Sequence, residues 1–302
     1  MIKKIIKSYN EGNLVYRIVT SLMFLPGYSN TNIAGLQMKY KTMLYLKKKY
    51  KRVLNNNFTC ISDGHFNDNK TIWICWFQGI ENAPELVKKC YESVCYYMND
   101  YEIISLDINN LHQYVNLPEY ILDKWKDGII SNAMLSDILR TTLLCKYGGI
   151  WLDATVYLTD RIPDIILNSD FFLYKHTDVN DVAEQYNSWF IKSVPNNEIL
   201  MKVKEFMFEY WKNENKIREY FLWHVMLSLI LENCSNSNIY PEISDYVPAH
   251  LSSVLNLKFD QQYWDLICRM SSIHKLTYKS TIDNAEDSFY KYIIDKSFER
   301  NN

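Results

Sequence analysis

LSDILRTTLLCKYGGIWLDAT, residues 135–155, is the stretch on which the fold turns. Leu135, Ile138, Leu139, Thr142 and Leu143 recur at helical spacing, so residues 132–147 are expected to form an amphipathic helix. Gly148 supplies a left-handed helix end, because glycine has no Cβ to clash at positive φ. Ile150, Trp151 and Leu152 then enter a strand, and Asp153 stands at its end. Asp137 and Arg140 are neighbours on the helix but lie roughly opposite the apolar stripe. Periodicity alone makes them a solvated ion pair, worth roughly a few tenths of a kcal/mol.

Working outward, strands and helices alternate. TIWICWF, residues 71–77, is β-branched and aromatic enough for a buried strand. Pro84 opens a helix with Leu86, Val87, Cys90, Val94 and Tyr97 on one face. YEIISL, residues 101–106, reads as a second strand, followed by short helical pieces to about Lys126. DFFLY and NSWFI read as further strands, and helices are expected over 196–213 and 217–233. This order predicts an α/β fold built on an open, mostly parallel sheet flanked by helices. Ligands of such sheets bind at the carboxyl ends of strands, where Asp153 lies, although aspartate also commonly ends strands and starts turns.

Net charge is −2, yet residues 1–57 hold eleven Lys or Arg against the single acid Glu11. That segment, closing with LKKKYKR at 46–52, is expected to be a basic helical extension. It suits either an anionic, peripheral membrane surface or a helical hairpin packed on the main domain. Polar residues 58–70 read as a linker and 71–302 as the main domain. Seven cysteines, at 60, 75, 90, 95, 145, 234 and 268, show no spacing suited to zinc or a disulfide framework. No apolar run reaches the roughly 18 residues of a membrane span, and MIKKIIKSYNEGNLVYR lacks a signal peptide's apolar core. The expectation is a cytoplasmic protein, peripheral on the inner face of the membrane if the basic segment binds lipid. No G-x-G-x-x-G follows any predicted strand, which removes a Rossmann dehydrogenase.

SDILRTTLLCKYGGIWLDAT resembles a segment of retaining glycosyltransferases with the GT-A fold, which show S-D-x-x-R, Y-G-G, an apolar triplet and D-x-D. IWICWFQGIENAPELVKKCYESV resembles the opening strand and helix of the same enzymes. Together they look most similar to bacterial capsular polysaccharide synthesis proteins, in a superfamily that includes the yeast initiating mannosyltransferase and, more distantly, clostridial glucosylating toxins. The likeness covers residues 72–160 well and fades toward 280.

The resemblance implies roles for particular residues. Trp76 matches the aromatic that stacks on the base, with Gln78 beside it; a strand tryptophan is otherwise core, and Trp73 should face the opposite side. Asp137 and Arg140 match residues that touch nucleotide and donor sugar. Asp153 matches the first Asp of D-x-D, and Thr155 stands where the second would be. A divalent cation, Mn²⁺ or Mg²⁺, is implied there, weakly bound for want of a second carboxylate, with His274 as a further ligand. Lys275 and Lys279 match phosphate-binding residues or belong to an ordinary surface loop, and Asn187 matches the reacting centre. His224, in an apolar helix, reads as a satisfied core histidine.

The implied activity is transfer of a hexose from a nucleoside diphosphate sugar, UDP above others, to a saccharide or lipid-linked acceptor with retention of configuration. Nucleic acid is not an expected partner. A catalytically silent nucleotide-binding or membrane scaffold in capsule assembly, and an enzyme that glycosylates a protein, are the competing readings.

Overall fold

β1 (Thr71–Cys75) is the strand around which the sheet is laid down. The computed structural model describes residues 31–54, 69–178, 181–234, 241–278 and 286–298. α1 (Thr31–Lys49) and α2 (Lys51–Leu54) precede β1. After it come α3 (Glu85–Tyr97), β2 (Glu102–Leu106), α4 (Leu111–Tyr114), α5 (Glu119–Lys126) and α6 (Asn132–Tyr147). β3 (Gly149–Asp153), β4 (Val156–Leu158), α7 (Asp164–Leu167), β5 (Phe171–Lys175) and β6 (Tyr186–Ser193) follow. α8 (Glu198–Asn213), α9 (Leu222–Glu232), α10 (Tyr246–Val254), α11 (Gln261–Met270), β7 (Ile273–Lys275) and α12 (Phe289–Asp295) complete the order.

The main sheet runs β2-β1-β3-β6-β5, and β4 pairs with β7 in a second, two-stranded sheet. β1 is parallel to both neighbours, whereas β6 is antiparallel to β3 and to β5. Four of five strands therefore share one direction. The chain leaves β1 for β2 on one side and returns to β3 on the other, so strand order reverses at the carboxyl end of β1. That is where an open α/β sheet opens a crevice.

Alternate strand residues face opposite layers. Trp73, Trp151, Leu173 and Ile191 pack with α6, α8 and α9, while Ile72, Ile74, Ile150, Leu152, Phe172 and Phe190 pack with α3 and β4. α6 lies under helices on one side and the sheet on the other. Asp137 and Arg140 are accordingly buried, with side chains only 12% and 7% exposed. The solvated pair expected from periodicity is thus corrected: the face opposite the stripe is covered by later elements.

Two glycines let β3 start where it does. Gly148 has φ 68° and ψ −156°, so it extends the chain directly into β3 instead of adding a left-handed helical residue. A Cβ on Gly149 would sit 2.4 Å from the Thr71 carbonyl oxygen, and one on Gly148 2.7 Å from Pro195 Cδ.

The described part of the basic segment is docked on the sheet domain. Met43, Leu46, Tyr50, Val53 and Leu54 are buried in the same apolar cluster as α8 and α9. Lys39 pairs with Asp181 and Glu184, Lys47 with Glu232 at 2.7 Å and Lys49 with Glu214 at 2.5 Å. Three of the segment's basic residues, Lys39, Lys47 and Lys49, thus meet acids of the sheet domain across this contact. The apolar residues before Thr31, Lys279, and the boundary at 57 with most of the 58–70 linker lie outside the described residues. Cys75, Cys90, Cys95, Cys145 and Cys268 form no disulfide. Cys234 is disulfide-bonded, a pairing that the scattered cysteine spacing does not reveal. Among the described residues no helix is long and apolar enough to cross a membrane.

Candidate active site

A cleft of about 1060 Å³ opens at the carboxyl edge of β1 and β3. It stands at the upper end of the roughly 300–1,000 Å³ typical of small-molecule sites. Its walls come from the turn after β1, the first half of α6, the end of β3, the start of β6, the start of α9 and the residues around β7. These elements are brought together by the strand order, since Cys75 and Asp153 are partners in the β1–β3 register.

Arg140 is the hub of the polar floor. Its Nη1 donates to the Ser188 carbonyl oxygen at 2.6 Å, and Nη2 lies 3.3 Å from Asp137 Oδ1 and 3.4 Å from Asp153 Oδ1. The guanidinium also stands 5.1 Å over the Trp151 ring. Burial pushes the Asp137 carboxyl up to about 6 against the pull of Arg140. For Asp153 burial acts in the same upward direction, but Lys275 and Arg140 outweigh it and hold the carboxyl well below the usual carboxylate range. Two carboxylates on one floor are therefore driven apart, which is a recurrent feature of functional sites.

Lys275 lies between the two residues at the end of β3. Its Nζ donates to Asp153 Oδ2 at 2.9 Å and to Thr155 Oγ1 at 2.6 Å. The β4–β7 ladder fixes it there: Val156 is the register partner of Lys275, and Leu276 N–H donates to the Thr155 carbonyl at 2.9 Å.

Alternation along β7 turns His274 to the face opposite Lys275. His274 is fully buried, its Nε2 lies 3.1 Å from Thr159 Oγ1, and burial lowers its pKa to about 4. It does not line the cleft, which corrects its reading as a metal ligand.

Asp153 and Thr155 do not fit a divalent cation either. A cation such as Mg²⁺ can be held by one carboxylate with waters and phosphate oxygens, but here that carboxylate and the hydroxyl are both already bonded to an ammonium that the ion would have to displace. Among the described residues one other group has metal-ligand geometry, His176, Asp181 and Glu184. The Lys39 ammonium is paired with both of its carboxylates.

Trp76 and Gln78 line the mouth of the cleft. Trp76 is half-buried, packs edge-on to Tyr278 at 5.4 Å, and has no partner for its buried Nε1. Trp73 is on the other side, in the core, with Nε1 donating to the Gly148 carbonyl at 3.0 Å. Asn187 lines the cleft, and its Nδ2 donates to Asp245 Oδ2 at 2.8 Å.

The cleft continues along β6, α9 and α10, a second part of the lining that carries no sequence motif. Trp189, Tyr220 and Phe221 form an aromatic wall, with Glu184, Ser252 and Ser253 as polar groups. His224 reaches this lobe. It is buried as the sequence suggests, but Nδ1 has no hydrogen-bond partner, so it is not a satisfied core histidine. Burial and the nearby charges of Arg140 and Lys39 lower its pKa to about 3, which keeps the ring neutral. Tyr220 and Phe221 lie in a polar-to-apolar boundary at a helix start, where periodicity gives no warning.

An open, mostly parallel sheet with a charged, two-lobed cleft at its switch point defines an α/β ligand-binding protein of the kind that houses enzyme sites. More narrowly, the chain belongs to the capsular polysaccharide synthesis protein family, whose pattern matches residues 26–293. The O-glycosyltransferase braB of Annulohypoxylon truncatum is 29% identical over 109 residues, which cover 33% of this chain and 26% of that protein's length. Among solved structures, the PaToxG glycosyltransferase is similar with a TM-score of 0.39 and 15% identity, over 63% of this chain and 78% of that one.

Proposed function

We propose that the chain is a glycosyltransferase that moves a hexose from a nucleoside diphosphate sugar, a UDP-sugar first among them, to a saccharide acceptor in surface polysaccharide synthesis. One observation carries the reading: Arg140, Asp137, Asp153 and Lys275 form a single charged floor at the carboxyl edge of β1 and β3, beside the half-buried Trp76. Family membership and the name of the braB relative support the same class.

In this reading the base stacks on Trp76, an interaction worth about 1–3 kcal/mol. The diphosphate lies over Lys275 and Arg140, whose positive charges meet the negative charge that builds on it as the glycosidic bond breaks. Asp137 accepts from a hydroxyl of the donor sugar. The sugar passes through an oxocarbenium-like state, and the acceptor attacks from the face the diphosphate leaves, giving up its proton to the departing phosphate oxygen. Configuration is then retained with no covalent intermediate on the protein.

The second lobe holds the acceptor. Sugar rings lay their C–H faces on aromatic side chains such as Trp189 and Tyr220, with the hydroxyls of Ser252 and Ser253 beside them. A lipid-linked acceptor would bring the protein to the membrane, where Lys41, Lys48, Lys51 and Arg52 remain exposed on the basic segment.

Calorimetry with UDP, GDP and CMP tests the donor half of this reading. One nucleotide is expected to bind, and Trp76→Ala to weaken it about tenfold, the loss of roughly 1.4 kcal/mol of stacking. Binding without turnover of any sugar nucleotide would point instead to a silent scaffold, and the absence of binding would contradict both.

A further inference from the structure

The D-x-D-like position of this chain is filled from within. We propose that Lys275 supplies the cation of the donor site, so that a nucleoside diphosphate is bound over Asp153 and Thr155 without a divalent metal. The proposal rests on the glycosyltransferase reading above and adds to it the means by which the diphosphate charge is met.

Position is the first argument. The Nζ of Lys275 bonds Asp153 Oδ2 and Thr155 Oγ1 together, at 2.9 and 2.6 Å, and so lies at the point both would share as metal ligands. The other carboxylate oxygen is also engaged: Oδ1 accepts from Trp151 Nε1 at 3.1 Å and faces Arg140 Nη2 at 3.4 Å. A cation entering here would have to displace a bonded ammonium and would then find a single carboxylate.

Charge is the second. Lys275 and Arg140 together carry two positive charges beside Asp153, equal to a divalent ion and already present. Adding a metal to them would set four positive charges against the two carboxylates Asp137 and Asp153 in a pocket where the Lys275 and Asp153 side chains are only 26% and 28% exposed. That is costly at the low effective dielectric of a half-buried site. A lysine ammonium has three N–H donors, of which two are used by Asp153 and Thr155, and one remains for a phosphate oxygen.

Sequence and fold explain why a lysine can stand there. Thr155 in place of a second aspartate keeps an oxygen on the same side of the segment while removing one negative charge. The one-residue alternation of β7 then directs Lys275 into the cleft and His274 away from it. A histidine facing the cleft in place of Lys275 would offer a metal ligand and would remove the ammonium that Asp153 and Thr155 share.

The experiment uses the full chain and two probes, the nucleoside diphosphate that binds best and Mn²⁺ alone. Calorimetry is run in EDTA and in Mn²⁺, on the native protein, Lys275→Met and Lys275→Arg; circular dichroism confirms that each is folded. The native protein is expected to bind the nucleotide with affinities within about threefold in the two buffers. Lys275→Met should lose at least tenfold in EDTA, and Lys275→Arg should keep most of the affinity. Electron paramagnetic resonance should detect no saturable Mn²⁺ site on the native protein without nucleotide. A tenfold or greater loss of native affinity in EDTA, an unaffected Lys275→Met, or a Mn²⁺ site abolished by Asp153→Asn would each overturn the proposal while leaving the glycosyltransferase reading intact. No binding of any nucleoside diphosphate in either buffer would overturn both.

Discussion

Arg140 Nη2 stands 3.3 Å from Asp137 Oδ1 and 3.4 Å from Asp153 Oδ1, so one guanidinium joins the middle of α6 to the end of β3. Its partners are buried or half-buried, and the cost of removing it follows from that. Arg140→Ala leaves two carboxylates without their shared cation, and breaking a buried pair in this way costs about 3–5 kcal/mol. Urea denaturation should show that loss. Arg140→Lys keeps the charge but not the fork, and should fall between the two. An Arg140→Ala protein as stable as the native one would mean that the pair contributes nothing to the fold.

Gly128 and Gly149, both at positive φ, differ in surroundings, which separates backbone strain from collision. Gly128 has φ 72° with nothing within 4 Å of a built Cβ, whereas Gly149 has φ 93° and a Cβ that would meet Thr71 O at 2.4 Å. Gly128→Ala should cost about 1–2 kcal/mol, the left-handed penalty alone. Gly149→Ala should cost several times more or prevent folding, because β1 and β3 would have to separate. Equal melting temperatures for the two variants would contradict the close approach.

His224 makes stability depend on pH. Its pKa is lowered from 6.5 to about 3 in the folded protein, first by burial and then by Arg140 and Lys39. Between those values the unfolded chain holds the proton and the folded one does not. This contribution to stability is therefore present above about pH 6.5 and is lost as the pH falls toward 3. Between pH 7 and 5 the loss amounts to about 2 kcal/mol, at 1.4 kcal/mol per unit once the unfolded histidine is protonated. His224→Phe should lose about 2 kcal/mol less than the native protein over that interval. An identical pH dependence in the two proteins would rule out a buried neutral histidine.

Lys39 reaches from α1 to Asp181 and Glu184, whose side chains are only 4% and 6% exposed, and stands 4.5 Å from the Phe221 ring that lines the cleft. Lys39→Met should destabilise the protein by about 3 kcal/mol or more by stranding two acids. Adding Asp181→Asn and Glu184→Gln should recover part of it. Deleting residues 1–57 is expected to unfold the chain, since it also removes Met43, Leu46 and Tyr50 from the core. A cooperative melt at the native temperature after that deletion would contradict the docking.

The mostly parallel α/β class is legible in the sequence because β1, α3, β2, α6 and β3 each carry their own periodicity, with Pro84 opening α3 and the paired glycines and Asp153 bounding β3. What escaped is whatever depends on distant partners. The burial of Asp137 and Arg140 is imposed by β6, α8 and α9, and a helical wheel counts only the stripe of its own helix. Lys275 meets Asp153 across 122 residues, and nothing in the local spacing of either distinguishes an ion pair from a surface lysine. The acidic counterparts of the basic segment, Asp181, Glu184, Glu214 and Glu232, are scattered over 52 residues of sequence and meet their lysines only in the folded chain.

The central claim, that the charged floor cleaves a sugar nucleotide, is tested most directly by release of free nucleotide from a panel of UDP-, GDP- and CMP-sugars. The native protein is compared with Asp153→Asn, whose melting temperature is measured alongside. The account predicts slow hydrolysis of one donor by the native protein and a rate at least about a hundredfold lower in the variant, roughly 2.7 kcal/mol of transition-state stabilisation. Equal rates in the two proteins, or no release from any donor although a nucleotide binds, would contradict it.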